Sequence, residues 1–176
     1  MPLHPALVHM PLALAFIAPF LALGFTWALW KGRIHSRAWI IIAALQAVLL
    51  LSGLIAMYFG EREEARLKSR VSPALLEQHD DLADQFLWVA GFTLGAASLV
   101  PLLRRPRTVR ALAVTTLAGS LLSAGAAFRA GHTGGELVYL HNAAAPYLTV
   151  NKMSAEVNND PHDEPVDSGV LAKSAK

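Results

Sequence analysis

Residues 38–59 read AWIIIAALQAVLLLSGLIAMYF, without one Asp, Glu, Lys or Arg. A helix needs about 20 apolar residues to cross the roughly 30 Å hydrocarbon core of a bilayer. This run is long enough, and three others resemble it: 6–30, 85–103 and 111–128. The expected fold class is therefore an all-α integral membrane protein, a bundle of four transmembrane helices. The composition agrees. Hydrophobic residues make up 54% of the 176 positions and charged residues only 16%, against about 25% charged in an ordinary soluble domain. The charges also gather in short blocks between the apolar runs.

A cleavable signal peptide is the rival reading of the first run. It would carry a basic stretch, a short apolar core and a small-residue cleavage site. No base precedes Ala6, and Lys31 and Arg33 follow Trp30, so the run is expected to stay as a helix with its N-terminus outside. Orientation follows from Lys and Arg in short connections. Lys31, Arg33 and Arg37 follow the first run; Arg104, Arg105, Arg107 and Arg110 follow the third; neither connection has an acid. The remaining eight of the fifteen bases share the other side with all thirteen acids, a net charge of −5. The basic side is expected to be cytoplasmic, with both termini on the outer, periplasm-like side. Trp27, Trp30 and Trp39 would line one interface and Tyr58 and Trp88 the other. The overall net charge of +2 gives no ground for nucleic-acid binding.

Small residues mark close helix approach in lipid. Gly91 and Gly95 form a GxxxG in the third run, and Gly119, Ser123 and Ala127 stand four apart in the fourth. They fit packing within the bundle, a seam between two copies of the chain, or room for a flat cofactor. On the outer side, Ser72-Pro73 reads as an N-cap and first helical position, opening a short helix through His79 into the third span. Glu64 and Lys68 have helical i,i+4 spacing. Residues 146–176 are expected to form a flexible polar periplasmic tail, too poor in apolar residues to build a core.

No catalytic triad, P-loop, dinucleotide fingerprint or helical HExxH occurs. The absence of cysteine excludes thiolate metal sites and covalently attached c-type haem. What remains is histidine, at positions 4, 9, 35, 79, 132, 141 and 162. Most of the chain outside the apolar runs lies on the outer side, so finding six of them there carries no weight. Depth carries more. His9 sits inside an uncharged run, His79 a turn before the third span, His132 after the fourth, and His141 after Leu137-Val138-Tyr139-Leu140. With His4 they are expected to meet in one layer at the outer mouth, where an ionisable group marks a functional site. A single interfacial histidine more often serves as a hydrogen-bonded support.

Neutral imidazole ligates transition metals and haem iron. Two histidines on opposite sides of a macrocycle would hold b-type haem, and His9 with His79 is the expected pair, His141 with His4 the reserve. Arg129 would pair with a propionate or simply snorkel to the interface. Alternatively three or four of His4, His9, His79, His132 and His141, with Asp80, Asp81 or Asp84, would hold copper or zinc. His162, within Asp160-Pro161-His162-Asp163, is a weaker metal candidate.

Three stretches carry a resemblance: His4 to Leu14 (HPALVHMPLAL), Glu77 to Asp80 (EQHD) and Gly131 to His141 (GHTGGELVYLH). Over residues 1–145 the chain resembles the bacterial membrane-protein family called domain of unknown function 2231, whose members open with HPxxVHFPxAL and follow their last helix with GGxLVYxHG. Met10 replaces the usual Phe, and His141-Asn142-Ala143 replaces the usual glycine-containing continuation. The family histidines carry over to His4, His9, His79 and His141, and its His-Thr-Gly-Gly turn to His132. The resemblance implies association with c-type cytochromes or a respiratory complex. The leading expectation is a small membrane subunit binding haem b and serving electron transfer rather than a stand-alone enzyme. The others are a copper- or zinc-binding membrane protein and a structural anchor of a respiratory complex; a homo-oligomer fits any of them.

Overall fold

The computed structural model describes residues 4–67 and 71–140, and side chains within 6–62 and 71–140. These residues belong to one compact unit, 1–143; the second unit, 144–176, holds the expected tail and His162 and lies outside the described residues. Five helices follow in order: α1 (His4–Leu7), α2 (His9–Trp30), α3 (Ile40–Leu67), α4 (Pro73–Leu99) and α5 (Pro106–Tyr139). Short 3-10 turns, Ser36–Trp39 and Val100–Leu102, lie in the two basic connections. No strand occurs among the described residues. Helices α2 to α5 are each long and apolar enough to cross a membrane.

Local chemistry explains the helix ends. α2 stops in a Schellman arrangement: the Arg33 amide donates to the Ala28 carbonyl at 2.9 Å and the Gly32 amide to the Leu29 carbonyl at 3.1 Å. Gly32 sits at φ +66°, a left-handed conformation that glycine adopts at no steric cost. α4 and α5 both begin with proline, Pro73 and Pro106, at the position where the missing N–H has no intrahelical partner anyway. As expected from Ser72-Pro73, α4 runs unbroken through His79 into the third span.

The interior inverts the soluble pattern. Buried apolar positions are dominated by alanine: Ala15, Ala18, Ala22, Ala90, Ala97 and Ala113 are all nearly inaccessible. Large apolar side chains point outward, with Phe20 75% and Phe92 74% exposed. This is what lipid dictates, because tails solvate Phe and Leu well while close backbone approach requires small residues. α5 packs against α2 and α4, and α3 packs against the same two helices, so α3 and α5 stand diagonally across the bundle axis. A Cβ on Gly119 would collide with the Thr93 hydroxyl, and one on Gly53 would come within 2.8 Å of Leu87. Gly119 of the α5 stripe thus faces α4, whereas Gly91 and Gly95 face open space.

Two expectations need correction. Trp39 is no belt residue: it is fully buried with Ile42, Ala97, Val100, Val109 and Ala113, edge-on to Phe25. Trp27 and Trp30 remain exposed at that end. The His-Thr-Gly-Gly stretch is not a turn after the last helix. It is helical, and α5 continues to Tyr139. Glycine is a poor helix former, but here Leu137 is buried against Val71 and Leu76, so packing against the start of α4 holds the segment in register.

Candidate functional site

The end of the bundle opposite the basic connections gathers the described parts of the three motif stretches. Leu12 of α2 lies where a Cβ on Gly131 would meet it at 3.6 Å. On α4, the half-buried His79 places Nδ1 3.0 Å from Thr133 Oγ1 on α5. Its ring rests on Gly134, where an added Cβ would be 3.1 Å from Cε1 and 3.7 Å from Nε2. Glycine at position 134 leaves this space to the ring, which a Cβ there would press aside by a few tenths of an ångström.

The hydrogen-bond chemistry of Thr133 bears on the histidine. Its hydroxyl reaches the Ala130 carbonyl at 3.0 Å and the Arg129 carbonyl at 3.3 Å. A hydroxyl has one proton and two lone pairs. With the proton given to the helix carbonyl, Oγ1 accepts from His79, whose Nδ1 then carries the hydrogen and whose lone pair lies on Nε2. Such an orienting bond on the far nitrogen is the usual companion of a ligating imidazole.

The other expected residues are placed less uniformly. His9 opens α2 and is exposed. His132 is exposed on α5, with Nδ1 3.6 Å from the Glu136 carboxylate and its ring beside Phe128. Arg129 is exposed one helical turn before Thr133, and Asp80, Asp81 and Asp84 are exposed on α4. His35 is exposed at the basic end, ahead of the first 3-10 turn. His4 begins α1, but its side chain lies outside the described residues, as does all of His141. Among the described residues, no three His, Asp or Glu side chains stand close enough to hold a metal ion. The arrangement therefore centres on His79, with His9, His132 and Arg129 exposed near the same end.

The sequence pattern alone does not single out the partners of this centre. Thr133 and Gly134 were visible only as letters of a motif; their roles appear once α4 lies on α5. Gln46 was also missed, although a polar amide inside the uncharged run 38–59 is itself a signal, since polar groups at membrane depth are expensive.

Four long apolar helices around an alanine-rich core define a polytopic membrane protein. The chain belongs to the family described as Predicted membrane protein (DUF2231), whose model matches residues 1–145. No curated protein and no solved structure matches it.

Proposed function

We propose that this protein is a small membrane subunit that binds b-type haem at its histidine-bearing end and serves respiratory electron transfer. The observation that carries the reading is the His79 Nδ1–Thr133 contact of 3.0 Å. A hydrogen bond from Nδ1 would hold the imidazole in one orientation and favour the tautomer whose lone pair is on Nε2. His79 would therefore be one of the residues that hold the haem. His9, exposed at the start of α2, is the proposed second ligand from another helix, with His4 and His141 in reserve. Arg129, also exposed, would meet a propionate. Bound haem would supply one-electron exchange; b-type haem suits a chain without cysteine.

The proposed setting is the bacterial inner membrane, with the seven-base end cytoplasmic by the positive-inside rule and the histidines facing a periplasmic carrier such as a c-type cytochrome. The visible spectrum of protein produced with ample haem tests the reading. A Soret band lost in His79→Ala and His9→Ala, but kept in His35→Ala, supports it. Absence of any Soret band in the wild type sinks it, and copper or zinc in a colourless preparation would favour a metal-handling role.

A second reading rests on the same contacts. The same hydrogen bond and the Gly134 cradle would also suit a histidine that merely clamps α4 to α5, in an anchor subunit. In that case His79→Ala lowers thermal stability in a protein that never shows haem absorbance.

A further inference from the structure

The bundle is polar at its centre. Gln46 of α3 is fully buried, and its Nε2 donates to Ser120 Oγ of α5 at 2.8 Å, across the bundle diagonal. Ser120 passes its own hydrogen to the Thr116 carbonyl at 2.8 Å. This direction points the amide nitrogen at Ser120 and leaves Oε1 with no donor among the described residues. The neighbouring hydroxyls are already committed: Thr93 donates to the Val89 carbonyl at 2.7 Å and Thr116 to the Leu112 carbonyl at 2.9 Å. Reversing the amide gives no relief, because Nε2 would then be the unmatched group. One turn along the buried face of α5, Ser123 is 1% exposed and its Oγ also has no partner among the described residues.

An unpaired amide oxygen and an unpaired hydroxyl are costly in a medium without water. Their chemistry is complementary to one small molecule that both donates and accepts. We propose that a single water molecule is bound on the bundle axis, donating one hydrogen to Gln46 Oε1 and bonding to Ser123 Oγ. Two polar partners are the minimum that holds an internal water. The water completes a chain from α3 to α5 that needs no titratable group, and it makes the diagonal contact a hydrated joint.

The full chain, purified in lipid nanodiscs, allows a test by stability. Ser123→Ala removes a partner of the water and should lower the melting temperature; an unpartnered hydroxyl would instead raise it or leave it unchanged on removal. Gln46→Met and Ser123→Ala should be coupled by about twofold or more in the unfolding equilibrium constant, though no direct hydrogen bond joins the two side chains. A crystal structure resolving ordered water should show density bonded to both Oε1 and Oγ. Additive variants, or Ser123 Oγ turned onto the Gly119 carbonyl with nothing at Gln46 Oε1, would overturn the proposal. If Gln46→Met fails to insert, Ser123→Ala and the density decide alone.

Discussion

At the scale of single residues, neighbouring glycines in the α5 motif carry opposite expectations. Gly134 lies under the His79 ring, whereas a Cβ on Gly135 would meet nothing within 4 Å. Alanine in a helix interior is favoured over glycine by about 1 kcal/mol. Gly135→Ala should therefore raise the melting temperature, while Gly134→Ala should lose that gain and displace the ring. Thermal unfolding of the two variants side by side measures the difference; equal stabilisation would mean that the ring does not sit on Gly134. Thr133→Val keeps the shape and removes the acceptor for His79 Nδ1–H. If His79 ligates haem as proposed, the substitution should shift the Soret band without abolishing it, because it changes ligand orientation and basicity rather than the ligand itself.

At the scale of elements, the helix termini and crossings set the sensitive positions. Gly32→Ala forces a Cβ into the left-handed region at φ +66° and should cost about 1–2 kcal/mol, read as a lower midpoint on unfolding. Gly119→Ala should be worse than Gly91→Ala or Gly95→Ala, because of these three only Gly119 faces a packed neighbour, Thr93, on the next helix. Pairing Gly119→Ala with Thr93→Ala should recover part of the loss. Failure of that rescue would show that α4 and α5 meet elsewhere. The outward GxxxG of α4 then remains the site at which a homo-oligomer, if one forms, would leave the bundle itself untouched.

At the scale of the whole molecule, the charge distribution predicts topology. The two connections with seven bases and no acid lie at one end, around the cluster that buries Trp39. Since the chain has no cysteine, single cysteines can report the side directly. With an impermeant maleimide in intact cells, a cysteine at Ser154 should label and one at Ser36 should not; the reverse pattern would invert the protein. Removing everything after Val150 should leave the membrane-inserted protein intact, since the family match ends at residue 145. Loss of inserted protein on truncation would show that the tail is needed.

Helix number and membrane residence were legible in the sequence because they depend on one-dimensional quantities, run length against bilayer thickness and the placement of charge. The same holds for the start of α4 at Ser72-Pro73 and for the end that bears His9, His79 and His132. What the sequence left undetermined was rotation. A span such as 38–59 is apolar all round, so no polar face marks its inner side as it would in a soluble helix. The inside is marked instead by small residues and by a few polar atoms, and these signals are weak until neighbours are known. Only the tertiary structure therefore joined His79 to Thr133, 54 positions away, and Gln46 to Ser120, 74 positions away. It also turned Trp39 inward, and it kept His-Thr-Gly-Gly helical, because burial of Leu137 against Val71 and Leu76 outweighs the poor helix propensity of glycine.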